Sequence, residues 1–239
     1  MAVVMLPESL VMFGHVSFFH GTMLLVCGLA LNSSVASACD GPREVRDATL
    51  ASLKAFIQDK QMTVVTLAGY SGAEYEDPKG MMGHAARVLD GLDPTKILIN
   101  IGATEVGIGA VYELAKRKGF TTMGIVSSLA REERVPLSPC VDYVFYVKDR
   151  SWGGKVAGTD QLSPTSEALV ECSASFVAIG GGDAARDEML AARNAGKPVT
   201  FIPADMNHKI ARDKALKKGR PKPTDFRGSA HAALANAAD

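Results

Sequence analysis

From residue 62 onward the chain alternates short β-branched apolar runs with helical segments, and no other feature narrows its fold as much. The runs are TVVTLAG (63–69), KILINIG (96–102), TTMGIVS (121–127), DYVFYVK (142–148), SFVAIGG (175–181) and PVTFIPA (198–204). Most are continuously apolar, without the polar alternation of a strand that has one wet face, so both faces are expected to be covered. Helices are expected over 79–90, 107–118, 164–173 and 184–195, with an earlier one around 43–59. Ser163 followed by Pro164 is a cap with proline at the first helical position, and Gly119 and Gly196 stand where helix-ending glycines belong. In the helix from Gly107, residues Ile108, Val111, Leu114 and Ala115 make one stripe that should face the sheet. Such alternation predicts a three-layer α/β domain around a mainly parallel sheet of about six strands.

The first forty residues have a different character. Up to Ala38 the only formal side-chain charge is Glu8, and an apolar centre gives way to small residues ending in Ala36-Ser37-Ala38, as in a secretory signal with its cleavage site. The lysine or arginine usual at the start of a signal is missing, so an apolar extension of another kind stays open. The expected organisation is therefore 1–38 as signal or apolar extension, 39–210 as the α/β domain, and 211–239 as a basic, alanine-rich tail, loosely held and frayed. A signal would make the protein periplasmic or secreted, with no stable membrane span after processing; otherwise it is cytoplasmic.

Lysine plus arginine (26) balances aspartate plus glutamate (26), so no overall field draws the chain to nucleic acid, and any anion site must be local. Cys27, Cys39, Cys140 and Cys172 show no CxxC spacing, which leaves a zinc or dithiol redox site without support. They read as buried thiols, or as a Cys140 and Cys172 pair were Cys39 lipidated. Neither a metal nor a cofactor is expected, and a homo-oligomer is left open.

In a parallel sheet, ligands bind beyond the carboxyl ends of the strands. Those ends read AGYSG (68–72), GATEVGIG (102–109), SSLARE (127–132), KDRSWGGK (148–155), GGGDAARDE (180–188) and ADMNH (204–208). Glycine turns running into helices offer free N–H groups and a positive helix end to an anion. The candidate ligand-binding residues are Gly69, Ser71, Gly72, Gly102, Thr104, Gly107, Gly181, Gly182, Asp183, Asp205 and Asn207. Asp183 also reads as a plain N-cap, His208 as a surface or structurally bonded side chain or else a ligand contact, and Trp152 as either a lid or a plug at the core's edge.

Three blocks in order, LAGYSG, INIGATEVGIGAVYELAKRKGFTTMGIV and ASFVAIGGGDAARDE, resemble the SLOG superfamily, the Rossmann-like group that includes the LOG phosphoribohydrolases once labelled lysine decarboxylases. The likeness spans residues 63–205, and the third block is similar to the family's PGGxGTxxE. Gly180 replaces the proline there, Gly181 and Gly182 hold the glycine pair, Ala184 and Ala185 replace the glycine and threonine, and Glu188 keeps the acid. Where the hydrolases carry an arginine-lysine pair, this chain has Thr165-Ser166. The resemblance implies a Rossmann-like domain that binds a small nucleotide-like ligand and lacks the standard hydrolase activity. Glu188, with Arg186 as substitute cation, would carry an alternative N-glycosidic hydrolysis. An exported scaffold that binds a partner is the third reading.

Overall fold

The computed structural model describes residues 39–235, and the expectations placed on residues 1–38 lie outside that range. Seven strands form one sheet: β1 (Glu44–Ala48), β2 (Thr63–Gly69), β3 (Ile97–Asn100), β4 (Thr121–Ser127), β5 (Tyr143–Val147), β6 (Ser175–Ile179) and β7 (Val199–Ile202). Their order is β1-β5-β4-β3-β2-β6-β7, and every neighbouring pair is parallel. The chain thus winds outward from β2 through β3, β4 and β5, then crosses back to the other side of β2 with β6. That reversal is the switch point at which a doubly wound sheet opens a crevice beyond its carboxyl edge.

Eight helices complete the layers: α1 (Leu50–Lys60), α2 (Pro78–Asp90), α3 (Val111–Arg117), α4 (Ser128–Glu132), α5 (Pro164–Cys172), α6 (Asp183–Asn194), α7 (His208–Lys217) and α8 (Gly228–Leu234). Successive strand residues point to opposite faces, so Val65, Leu67, Ile99 and Ile101 meet Met81, Ala85 and Leu89 of α2 and Val111 and Ala115 of α3. On the other face Val64, Leu98, Met123 and Phe145 pack on Leu53 and Phe56 of α1 and on Leu169 of α5. Met189 and Ala192 of α6 cover Phe176 and Ala178 beside them. Each fully buried side chain of this size stabilises the fold by about 1.5–3 kcal/mol. The fold is therefore α/β and Rossmann-like, with seven strands where about six were expected from the apolar runs.

The extra strand is β1, which falls inside the segment expected to be helical from residue 43. Its sequence, EVRDA, has two apolar residues, Val45, whose side chain is exposed, and Ala48, which packs at the edge of the core. Pairing with β5, from Glu44 opposite Tyr143 to Ala48 opposite Val147, is what makes it a strand. The helix begins only after Thr49, where a reciprocal capping box joins Thr49 and Ser52. Just before β1, Cys39 is joined to Cys140 by a disulfide across a sequence separation of 101 residues, so two of the four cysteines are not thiols. Cys172 is the buried free cysteine among the described residues, and burial pushes its thiol up to about 11. The helix expected from residue 107 opens as a 3-10 turn, Gly107–Ala110, before α3.

Within the C-terminal segment expected to be loose, the stretch 226–235 is docked. Ala230 and Leu234 of α8 are buried against Met189 and Ala192 of α6. The Tyr70 hydroxyl donates to the Arg227 carbonyl at 2.6 Å, the Met206 N–H donates to the Phe226 carbonyl at 2.8 Å, and the Ala230 N–H donates to the Gly181 carbonyl at 3.2 Å. Phe226 lies under the His208 ring, with centroids 4.0 Å apart. Composition alone hides this, because two buried apolar residues in seven suffice when an existing helix supplies the other half of the contact.

Candidate ligand cavity at the switch point

A cavity of about 230 Å³ opens beyond the carboxyl ends of β2, β3 and β4, against the first turn of α6. Its floor is Thr66, Leu67 and Ala68 of β2 with Ile125 and Val126 of β4. Thr66 is held in place by Asn100 Nδ2, which donates to its Oγ1 at 2.9 Å, and by the Ser173 hydroxyl at 2.5 Å. Gly69 and Ser71 form one wall, Gly102, Ala103 and Thr104 a second, and Ala184, Ala185 and Glu188 of α6 a third. Val135, Pro136, Leu137 and Trp152 make the rim.

Two buried tyrosines set the shape of the turns. The Tyr112 hydroxyl accepts from the N–H groups of Ile101 (2.9 Å) and Ala103 (3.1 Å) and donates to the Met123 carbonyl (2.6 Å). This holds Gly102 and Ala103 at positive φ, 59° and 57°, a conformation costly for the non-glycine Ala103. Tyr75 does the same after β2, accepting from the Tyr70 N–H at 3.1 Å and donating to the Ile179 carbonyl at 2.7 Å. Burial raises both phenols well above their ordinary range, so they remain protonated donors.

Glu188 lies inside the cavity wall and is 7% exposed. Its Oε1 accepts from the Ser166 hydroxyl at 2.6 Å, and the same Ser166 oxygen accepts from the Gly154 N–H at 2.7 Å. Burial pushes the Glu188 carboxyl up to about 7; the Ser166 hydrogen bond opposes the rise and the neighbouring Asp187 carboxylate adds to it. The backbone of Gly153, at φ +92°, passes so close that a Cβ there would sit 3.0 Å from Ser166 Oγ and 3.4 Å from Glu188 Oε1. The loop carrying Trp152 is therefore laid directly over the acid, and the indole stands 54% exposed at the cavity mouth.

Thr165 lines the cavity at 5% exposure; its N–H donates to Asp149 Oδ2 at 3.0 Å, and its side-chain hydroxyl lies against the same carboxylate.

Of the residues singled out from the sequence, Gly69, Ser71, Gly102, Thr104 and Glu188 line this cavity. Gly72 stands beside it, with its carbonyl accepting from Lys214 Nζ at 2.6 Å. Gly107 faces the Tyr70 and Ser71 carbonyls, so its missing Cβ allows the β2 and β3 turns to approach each other. Gly181 packs against Ala185 and Ala230, and neighbouring Gly180 against the Tyr70 ring; packing thus accounts for two glycines of the GGG run, which the sequence alone points toward a ligand. Gly182, not Asp183, is the N-cap of α6, and Asp183 follows as an exposed first residue. Arg186 is held by Asp183 and Asp187, each at 2.9 Å, and does not line the cavity. Asn207 caps α7 by accepting from the Ile210 N–H, while Asp205 and Glu76 flank the His208 ring at 3.4 and 3.6 Å, all outside the cavity lining. Thr165, Thr66, Tyr75 and Tyr112 carried no sequence signal beyond the place of Thr165 in the SLOG-like alignment.

Among the described residues, no group of three or more His, Cys, Asp or Glu side chains is placed to hold a metal ion, and no helix is long and apolar enough to cross a membrane.

No protein-family model matches the chain, and no curated protein matches it. Solved structures similar to it include TM1055, a structural-genomics target, at 21% identity and a TM-score of 0.43, covering 58% of this chain and 72% of that one. A Moco carrier protein from Chlamydomonas reinhardtii is similar at 16% identity and a TM-score of 0.43, covering 74% of this chain and 94% of its own.

Proposed function

We propose that this protein is a SLOG-type binder of a small nucleotide-derived ligand, seated in the switch-point cavity, and that it lacks the standard phosphoribohydrolase activity. Glu188, the one ionisable side chain of the cavity lining among the described residues, set beside the glycine turns after β2 and β3, carries the reading. Thr165 and Ser166 stand where the hydrolases place their cationic pair, so no side chain is on hand to neutralise a leaving group.

Calorimetric titration with nucleosides and nucleotides, run beside an assay for released base, tests it. Saturable binding without turnover is expected. No saturable heat with any of them would overturn the reading.

The hydrolase reading is favoured by one observation, the Glu188 carboxyl near 7, where a side chain can give and take a proton at neutral pH. Base release abolished in Glu188→Gln would install that reading in place of the first. Export is favoured by the Cys39–Cys140 disulfide, a bond that persists in oxidising compartments. That bond also leaves no Cys39 thiol for lipidation. A full-length, fully reduced protein recovered from the cytoplasm would count against export.

A further inference from the structure

The cavity has a charge character that bears on its ligand. Glu188 is the one ionisable side chain in the lining, which contains no lysine, arginine or histidine among the described residues. Of the bases around it, Arg186 is engaged by Asp183 and Asp187, Lys155 by Asp160 and Lys214 by the Gly72 carbonyl, while Arg134 and Arg150, next to the rim in sequence, are exposed and do not line the cavity.

The features that usually cradle a phosphate are compromised as well. The glycine turn after β6 is closed by the chain's own tail, with the Gly181 carbonyl accepting from Ala230 and Gly228 seated against Gly181 and Tyr70. The first residue of α6 is Asp183, whose carboxylate already sits at the positive end of the helix. A phosphate dianion entering here would lose hydration, gain no cation from the lining and approach an acid.

We propose, on the reading above that the cavity binds a nucleotide-derived ligand, that it takes the uncharged nucleoside form, a heterocycle joined to a hydroxyl-bearing ring, and discriminates against the phosphomonoester. Ligand hydroxyls match the Ser71 side chain of the lining and the Glu188 oxygen that Ser166 does not engage. The rim of Val135, Pro136, Leu137 and Trp152 offers an apolar surface and one indole face to the heterocycle. The cavity, at about 230 Å³, is also smaller than the roughly 300–1,000 Å³ usual for drug-sized ligands, so it has little space for a phosphate beyond the ring system.

The test titrates wild-type protein with four matched pairs, adenosine, guanosine, cytidine and uridine against their 5′-monophosphates, at pH 7.5 and moderate salt. Trp152 is the sole tryptophan, so its emission reports occupancy of the mouth alongside calorimetry. At least one nucleoside is expected to bind tenfold or more tightly than its monophosphate. A monophosphate that binds as tightly as its nucleoside overturns the inference and leaves the binding reading intact; loss of that affinity in Lys214→Ala would then place the phosphate at the β2 turn. No binding by any member of any pair overturns both.

Discussion

Glu188 is where sequence, burial and chemistry meet in a single side chain. Its carboxyl rises from an ordinary 4.5 to about 7, so between those values the folded protein holds a proton that the unfolded chain has released. Stability from this group is therefore full below about pH 4.5, declines as pH rises toward 7 and is level above it, a difference of about 3 kcal/mol. Glu188→Gln keeps the shape and removes the titration. The variant should match wild type in urea unfolding near pH 4.5 and exceed it at pH 8; the same gap at both pH values would mean that the acid is not titrating in the fold. That an acid belongs at this position was legible in the SLOG-like block. That Ser166 and the Gly153 backbone enclose it was not, since both lie on a loop and helix far from it in sequence.

Among the elements, β1 shows how a weak local sequence becomes a strand. It has no apolar face of its own, and it is held to the sheet edge by β5 and by the disulfide just before it. Cross-links closing long loops stabilise by about 2–4 kcal/mol, chiefly by restricting the unfolded chain. Reduction should therefore lower the unfolding midpoint and speed amide exchange in Glu44–Ala48 before it reaches β2 or β6. Peptide mapping without reductant should recover the Cys39 and Cys140 peptides joined. Exchange in β1 that ignores reductant would mean that ladder hydrogen bonds alone hold it. The flanking pair has a further anchor in Asp142, whose buried carboxylate accepts from Lys116 Nζ at 2.7 Å, from the Thr122 N–H at 2.9 Å and from Arg43 Nε at 3.1 Å.

Over the whole molecule, the tail is a structural element with a place in the site's architecture. It fills the glycine turn after β6, steadies Tyr70 beside the β2 turn and buries Leu234 against α6. Leu234→Ala should cost about 2–5 kcal/mol in urea unfolding, as a buried leucine does, where a frayed terminus would cost under 0.5 kcal/mol. Removing Phe226 onward should cost more and expose Tyr70 and Gly181 together. An unchanged midpoint in both variants would return the tail to solvent.

By itself the sequence determined six of the seven strands and which edge of the sheet carries the glycine turns. TVVTLAG and TTMGIVS are β2 and β4 to the residue, and Ser163 caps α5 as its Ser-Pro pair announces. Apolar periodicity, caps and turn glycines act within a few residues of where they are written, so they can be read there. Only the tertiary structure decided that EVRDA is a strand, that Cys39 meets Cys140, that α8 closes the third glycine turn, and that the cavity lining holds an acid without a cation. Each of those depends on partners brought together from distant parts of the chain by the order of strands in the sheet, and no local window contains that order.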